Sequence, residues 1–306
     1  MNWTEKYRPK RLGDIRGQGK FIMDAASWLT INEMPNLCLY GANGIGKTTA
    51  ALILGNEFLG DSFSMNFKEI NASQDRRLDT IRETITKFAN TKPSNDVPFK
   101  ILLLDEIDGM TKDSQRALKR TMERAHNVRF IITCNEYDKV DYALRSRCAN
   151  YLFTPLNVKD MTDMLTNICE KENIHINQHE LIKFCESLNG DMRRGINELQ
   201  ACAFSNTSIS KKTHEFMNKN YEILNLLTKG NVYEANELLM KEILSGRSVK
   251  EICNNLHYCV LEMEIDRSTM FKCLASIGEM EWRSKTMTPK IVVSWFAAQF
   301  TKEKNR

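Results

Sequence analysis

One eight-residue stretch limits the folds open to this chain more than any other. Residues 41–48 read GANGIGKT, which fits the phosphate-binding pattern G-x-x-x-x-G-K-[ST] at every defined position. An apolar run at 37–40 precedes the stretch and a helix-like run at 49–59 follows it, so the strand, loop and helix that the pattern requires are present. The sequence therefore predicts an α/β fold with a phosphate loop, against the alternative of a Gly-rich turn that matches by chance.

The pattern gives each residue type in the loop a role. Glycines let backbone N–H groups approach phosphate oxygens without interference from a Cβ atom, and the helix amino terminus adds positive potential. Lys47 can reach the terminal phosphates and Thr48 can hold Mg²⁺. The expected nucleotide contacts are Gly41, Asn43, Gly44, Ile45, Gly46, Lys47, Thr48 and Thr49.

Two strands that read as buried end in polar residues. The run 101–104 leads into Asp105 and Glu106, and the run 128–134 leads into Asn135. Parallel strands covered on both faces place ligand groups at their carboxyl ends. We expect Asp105 to orient Mg²⁺, Glu106 to activate or position the attacking water, and Asn135 to contact the γ-phosphate or that water. The alternatives are a strand that simply ends in polar residues and a turn that begins at Asn135.

Basic residues mark two helices. Arg76 and Arg82 lie in or before the first turns of a helix from residue 78, where they oppose its dipole unless an anion compensates. Lys112 and Arg116 share one side of a helix over 112–125. Together the two surfaces predict contacts with a phosphate backbone, against the alternative of solvated basic faces. The net charge of +4 does not decide between them.

The segment before the first strand reads as an irregular arm. Rings, Pro and Gly follow one another over 3–18 without helical period. The arm either packs against the core or closes over the base of a bound nucleotide, in which case Tyr7 and Arg8 would contact that nucleotide. The residues themselves do not rank these two possibilities.

The composition of the chain indicates the cellular compartment in which the protein is found. The nine cysteines are odd in number, scattered and without a C-x-x-C pair, which favours reduced thiols in a reducing compartment. Neither a signal-like start nor an uncharged apolar run of membrane length occurs. We expect a soluble, intracellular protein, in cytoplasm, nucleoid or nucleus, of cellular or viral origin, without a membrane partner.

The last half of the chain reads as helical. Pro155 ends the α/β part, three helices follow over 158–204, a small polar stretch occupies 205–212, and 214–302 shows only helical periodicity without a catalytic constellation. We expect three domains: an ATPase domain at 1–156, a helical lid at 157–212 and an all-α domain at 213–306.

Several stretches together resemble one family, the small subunits of replication factor C, which are AAA+ sliding-clamp loaders. The stretches are WTEKYRP at 3–9, the phosphate loop, NAS at 71–73, LDEID at 104–108, SQRALKRTME at 114–123, CN at 134–135, SRC at 146–148 and GDMRR at 190–194. They follow the family's order over roughly the first 200 residues. Gln74 and Arg77 depart from the pattern, since the family has an acid and a glycine there.

The resemblance implies an AAA+ fold, ATP with Mg²⁺ as cofactors, and the roles of several residues. Arg147 is similar to the arginine finger, which serves the ATP of a neighbouring subunit, Arg193 to the second sensor and Asn135 to the first sensor. Gln115 resembles the residue that relays DNA contact to the acidic strand. Residues 213–306 would form the collar of a five-membered ring containing several copies of this chain.

The same resemblance implies partners: a sliding clamp, other clamp-loader subunits, and primer–template DNA held by its phosphates near Arg76, Arg82, Lys112 and Arg116. Two rivals stay open. One is another AAA+ DNA machine, such as a branch-migration helicase or a replication initiator. The other is a non-catalytic scaffold, which would not need the set Lys47, Thr48, Asp105, Glu106 and Arg147 together.

Overall fold

The computed structural model describes residues 2–72, 78–94, 97–205 and 209–301, with the backbone alone at 78–82 and 209–217. The chain divides into two compact units, residues 1–205 and residues 206–306. The predicted lid lies mostly inside the first unit, and its separation from the ATPase domain stays a prediction.

A parallel sheet forms the centre of the first unit. Its strands are β1 (Leu37–Tyr40), β2 (Phe67–Asn71), β3 (Lys100–Asp105), β4 (Val128–Cys134) and β5 (Ala149–Leu152). Their order is β2-β3-β4-β1-β5, and all neighbouring pairs are parallel. Tyr40 pairs with Cys134, so the residues that follow β1 and β4 lie side by side at the carboxyl edge of the sheet.

Ten helices belong to the described part of this unit. They are α1 (Trp3–Lys6), α2 (Gly19–Ile31), α3 (Lys47–Leu59), α4 (Phe63–Asn66), α5 (Leu78–Asn90), α6 (Lys112–Arg124), α7 (Tyr142–Arg145), α8 (Val158–Lys171), α9 (Gln178–Ser187) and α10 (Met192–Ser205).

Alternate residues of the central strands enter two separate cores. Leu37 and Leu103 pack in the cluster that contains residues of α2 and α3, whereas Leu102 and Ile132 pack in the cluster that contains residues of α5 and α6. Both faces of the sheet are therefore covered, which explains why β3 and β4 are apolar without alternation. The predicted α/β fold with a parallel sheet flanked by helices is confirmed.

The second unit is helical throughout its described part. Its helices are α11 (Ile209–Lys229), α12 (Val232–Leu244), α13 (Val249–Glu262), α14 (Arg267–Arg283) and α15 (Pro289–Ala298). They bury one apolar core that includes Leu227, Leu256 and Phe296. Buried Glu242 forms ion pairs with Lys219 and Arg247, so its charge is compensated inside the bundle.

The cysteines behave as their apolar neighbours suggest. All nine are free, and all except Cys148 are buried. Among the residues that the structure describes, no helix has the length and apolar character needed to cross a membrane.

Candidate functional site

The phosphate loop leaves β1 and runs directly into α3, whose first residue is Lys47. Two of its glycines could not be replaced without conflict. A Cβ at Gly41, where φ is +141°, would lie 2.3 Å from the Phe153 carbonyl oxygen, and one at Gly44, where φ is +74°, would lie 1.9 Å from Asp191 Oδ1. The loop thus presents bare backbone and the amino terminus of α3 to the space above the sheet, an arrangement that attracts anions.

Lys47 is folded back into this loop. Its side chain is buried, and Nζ donates to the carbonyl oxygens of Gly41 at 2.8 Å and Ala42 at 2.6 Å and to Oδ1 of Asn135 at 2.9 Å. Burial lowers the pKa of Lys47, while the nearby Asp105 carboxylate acts in the opposite direction. The ammonium group and Asn135 therefore meet at the loop, and β1 and β4 hold them there.

The acids after β3 are placed by hydroxyl groups. Asp105 Oδ1 accepts from Thr48 Oγ1 at 2.9 Å and from Thr133 Oγ1 at 2.5 Å, and the Thr133 hydroxyl accepts from the backbone N–H of Glu106 at 3.0 Å. Glu106 takes the left-handed conformation, with φ of +57°, which few non-glycine residues adopt and which recurs at functional sites.

Thr48 and Asp105 fit a magnesium ion. Both supply hard oxygen atoms within hydrogen-bond distance of each other beside the phosphate loop, and Mg²⁺ in nucleotide sites takes one or two protein oxygens together with phosphates and waters. Across the described ranges, no group of three or more His, Cys, Asp or Glu side chains could hold a metal ion. The chain therefore suits a cation that arrives with a phosphate ligand.

Asp108, two residues beyond Glu106, fixes the loop after β4. Its Oδ2 accepts from the backbone N–H groups of Asn135 at 3.1 Å and Glu136 at 3.0 Å. The last acid of the LDEID stretch therefore orients the residue that contacts Lys47. Its other oxygen, Oδ1, is buried and has no hydrogen-bond partner among the described residues.

A cavity of about 230 Å³ opens beside the phosphate loop. Its walls come from three segments that are distant in sequence: the arm with Tyr7 and Arg8, the loop with Gly44 and Ile45, and the helical part with Arg193. Its further lining includes Pro9, Ile15, Gly46, Thr49, Leu156, Met164, Met192 and Ile196. Thr4, Glu5 and Arg16 line the cavity as well, so its walls combine apolar with polar and charged side chains. Small-molecule sites use such polar groups to orient the ligand.

The arm both packs on the helices and lines this cavity. The Trp3 backbone N–H donates to Gln200 Oε1 at 3.1 Å, and the Tyr7 hydroxyl donates to Glu172 Oε1 at 2.6 Å. The two possibilities that the sequence left open are thus compatible in one arrangement. Contact between Tyr7 or Arg8 and a nucleotide base stays a prediction.

Arg193 lines the cavity from the first turn of α10. The residue at the start of that helix, Asp191, accepts from the backbone N–H of Arg194 at 2.9 Å, and its carboxylate lies against Gly44. The helical part therefore meets the phosphate loop through one acidic side chain and reaches the cavity through one basic side chain.

Arg147 lies outside the cavity lining. One terminal nitrogen donates to the Ala143 carbonyl oxygen at 2.6 Å, and the other pairs with the carboxylate of Glu123 on α6. The side chain keeps 31% of its surface exposed. Its partners within this chain are thus α6 and α7, and the structure does not bring it together with Lys47 or Asp105.

The basic surface of α6 is partly described. Lys112 and Arg116 are exposed, and Arg116 Nη1 lies 3.4 Å from Asp113 Oδ1. Arg76 lies outside the described residues, as does the side chain of Arg82.

Gln115, between those two α6 residues, is instead buried, with 1% of its surface exposed. Its amide nitrogen donates to the carbonyl oxygens of Ile107, Met110 and Lys139. Its oxygen accepts from the backbone N–H of Asp141 at 2.6 Å. The side chain therefore joins the turn after the acidic strand to the loop that leads to α7.

Four residues that organise the site do not belong to the predicted set of site residues: Thr133, Asp108, Asp191 and Glu123. Thr133 is a polar residue inside an apolar strand, and Asp191 directly precedes the basic start of α10, so both carried a local signal. Glu123 carried none, because its partner Arg147 is 24 positions away and belongs to another element.

Comparison with known proteins identifies the family. The model of the AAA family, ATPases associated with various cellular activities, matches residues 37–156. The replication factor C small subunit of Methanoregula boonei is 36% identical over 290 residues, which are 92% of this chain and 90% of the relative. That of Methanoculleus marisnigri is 37% identical over 289 residues, with the same shares covered.

A solved structure, the Thermotoga maritima RuvB Holliday junction branch migration motor, matches with a TM-score of 0.57 at 17% identity and covers 72% of this chain and 79% of its own. A likeness at that identity concerns the fold alone. The resemblance drawn from the sequence is confirmed by the closer relatives: the chain belongs to the replication factor C small-subunit family and contains the nucleotide-binding domain of the AAA ATPases.

Proposed function

We propose that this chain is an ATPase subunit of a sliding-clamp loader. In the ATP state it grips and opens the polymerase clamp and holds primer–template DNA, and hydrolysis releases the clamp onto that DNA. The observation that carries the proposal is the hydrogen-bonded set at the phosphate loop, in which Lys47 meets Asn135 and Thr48 meets Asp105, in a chain of this family.

The nucleotide is ATP and the cation is Mg²⁺. The loop, with Lys47, binds the phosphates, and the cavity beside Tyr7 and Arg8 accepts the base. Thr48 and Asp105 would hold Mg²⁺, which would neutralise charge on the phosphates. Glu106 accepts a proton from the attacking water, and Asn135 keeps that water or the γ-phosphate oriented.

Two arginines complete the chemistry from different places. Arg193 reaches the nucleotide of its own chain, a role supported by its position in the cavity wall. Arg147 acts in trans, on the ATP of the neighbouring subunit, a role supported by its exposure and by its absence from that wall. An arginine finger contributes about 10³–10⁵ in rate in comparable NTPases, so hydrolysis depends on assembly.

The partners follow from the same family. The chain assembles with copies of itself and with other clamp-loader subunits in a five-membered ring, through its helical unit. Lys112 and Arg116 on α6, with Arg76 and Arg82, contact DNA phosphates without reading bases, which predicts a strong salt dependence of DNA binding. The ring works inside the cell.

One experiment tests the proposal: ATP turnover of the assembled complex with and without primed DNA and clamp. Turnover should rise when both are added, whereas a helicase would respond to duplex unwinding. We expect Lys47→Ala to abolish nucleotide binding, because the phosphates lose their buried cation. Arg147→Ala should still bind nucleotide and turn over at least about 10³-fold more slowly. Wild-type turnover by Arg147→Ala in the complex would rule out the trans assignment.

A further inference from the structure

A second group of side chains, outside the nucleotide cavity, lies under the loop that carries Arg147. We name residues 142–148, which are α7 and the three residues after it, the finger loop. Tyr40 and Tyr137 stack with ring centroids 4.1 Å apart and an interplanar angle of 29°. The Arg145 guanidinium carbon lies 4.4 Å from the Tyr137 ring centroid, so the Tyr137 ring contacts both Tyr40 and Arg145, and we call these three side chains the stack.

The three side chains of the stack belong to different parts of the site. Tyr40 is the last residue of β1 and directly precedes Gly41, the first residue of the phosphate loop. Tyr137 follows Asn135, which contacts Lys47. Arg145 lies in the finger loop, two residues before Arg147. The stack therefore connects the phosphate loop of this chain to the loop that offers Arg147.

Asn150 links Tyr137 to the finger loop through hydrogen bonds. Its amide nitrogen donates to the carbonyl oxygens of Arg145 at 3.0 Å and Cys148 at 2.8 Å, which lie on either side of Arg147 in the chain. Its oxygen accepts from the Tyr137 hydroxyl at 3.2 Å. Tyr137 thus contacts the finger loop directly at Arg145 and is linked to it again through the bond of its hydroxyl to Asn150.

The Arg145 side chain contacts Tyr137 both over the ring and through a side-chain hydrogen bond. Its Nε is buried without a hydrogen-bond partner among the described residues, and its nearest carboxylate, Asp138 Oδ1, is 3.6 Å away on a fully exposed side chain. A cation that has lost water over an aromatic face interacts with it more strongly than an exposed one. The guanidinium therefore serves packing of the finger loop.

We propose that the Tyr40–Tyr137–Arg145 stack, with Asn150, positions the finger loop against the phosphate loop of its own chain. Tyr137 and Arg145 are positioning residues, since they act on the reaction only through Arg147. The inference rests on the proposed function, because Arg147 must serve the neighbour's ATP. A finger displaced by about 1 Å loses on the order of 10²-fold in rate, so partial loosening should cost about tenfold.

The test is a double-mutant cycle between Arg145→Gln and Arg147→Ala, measured as single-turnover ATP hydrolysis by the complex purified through a tag on this chain. We expect Arg145→Gln to lower the rate constant about tenfold in the wild-type background, with the ATP concentration for half-maximal rate unchanged. In the Arg147→Ala background the same substitution should change nothing further, because no finger is left to position.

The chain provides a matched control. Arg129 also lies over a ring, with its guanidinium carbon 5.0 Å from the Phe99 centroid, but it is the second residue of β4, at the opposite end of the strand from Cys134. Arg129→Gln therefore removes the same kind of ring contact away from the finger loop, together with hydrogen bonds to the Met34 and His126 carbonyl oxygens. It should leave turnover within about twofold of wild type.

The outcomes are distinguishable. An equal loss from Arg145→Gln in both backgrounds means general damage and overturns the positioning role, as does no loss at all. Full turnover by Arg147→Ala rules out the trans assignment of Arg147, and the positioning role with it, whereas turnover that does not respond to primed DNA and clamp contradicts the proposed function. Should Arg145→Gln fail to fold, Tyr137→Leu replaces it in the cycle. Tyr137→Phe, which keeps the ring but loses the hydroxyl bond to Asn150, should then give a rate between those of Tyr137→Leu and the wild type.

Discussion

The contact between Gly44 and Asp191 gives a prediction whose size can be worked from the structure. In Gly44→Ala, the new methyl group would lie 1.9 Å from Asp191 Oδ1 and 2.5 Å from its carboxyl carbon. The Asp191 carboxylate cannot stay in place, and it is also the group that accepts the Arg194 N–H at the start of α10. The substitution therefore strains the loop and uncaps a helix.

Two terms set the magnitude. A residue with a Cβ in the left-handed region costs about 1–2 kcal/mol, and φ at Gly44 is +74°. Loss of a helix cap costs about 1 kcal/mol. We expect Gly44→Ala to lower the free energy of unfolding of the first unit by about 2–3 kcal/mol.

Gly46→Ala is the matched control, since Gly46 has φ of +96° but open space where its Cβ would stand. It carries the backbone strain without the collision, and both variants change the entropy of the unfolded chain alike. Urea-dependent hydrogen exchange at amides of β1 and β4 measures the first unit separately from the helical unit. Gly44→Ala should be the less stable of the two by about 1 kcal/mol.

A cycle with Asp191→Ala decides whether the reasoning is right. Once the carboxylate is gone, the cost of Gly44→Ala should fall to the backbone term of about 1–2 kcal/mol. If Gly44→Ala lowers the free energy of unfolding equally with and without the Asp191 carboxylate, the methyl group does not collide with Asp191, and the argument from this contact is wrong.

Three further predictions concern other parts of the chain. Arg147 pairs with Glu123 across a partly exposed ion pair, and such a pair contributes about 0.2–1 kcal/mol. Under the proposed role of Arg147 this pair would compete with the phosphate of the neighbouring subunit, so Glu123→Gln should raise turnover of the complex by at most about fivefold, and slower turnover would contradict this. Gln115→Leu removes the hydrogen-bond partner of the Asp141 N–H and of the Met110 and Lys139 carbonyl oxygens. It should lower the free energy of unfolding by about 1–3 kcal/mol, measured by the same hydrogen exchange. Burial raises the pKa of Cys253 and of Cys259 from 9.0 to about 12, so these thiols lose their protons at a lower pH in the unfolded chain than in the folded one. The free energy of unfolding of the helical unit should therefore fall as the pH rises from 9 toward 12. Both thiols should resist alkylation at pH 8 until the unit is unfolded.

The parts of the site that could be predicted from sequence are those that strand ends and local spacing determine. The phosphate loop follows from its own eight residues, and the positions of Asp105 and Asn135 follow from apolar runs that stop just before them. Parallel pairing then brings them together, because adjacent strands share one carboxyl edge.

The remaining contacts depend on tertiary packing that no local pattern encodes. Gln115 lies between exposed basic residues on α6, yet its side chain is buried because two loops close over it. The pair of Arg147 with Glu123 and the stack of Tyr137 on Tyr40 join residues from different strands and helices. Their partners become visible only when the sheet order is known.

A nucleotide bound in the cavity, as proposed, would contact three separate segments of the first unit. The arm, the phosphate loop and the start of α10 each contribute a wall, so a ligand that contacts all three would hold together segments that are far apart in the chain. At a concentration 100 times its dissociation constant it would add about 2.7 kcal/mol to the stability of the folded form. Nucleotide binding should then lower the hydrogen-exchange rates of amides in the arm and in α10 together. Release of the nucleotide after hydrolysis should raise both sets of rates again.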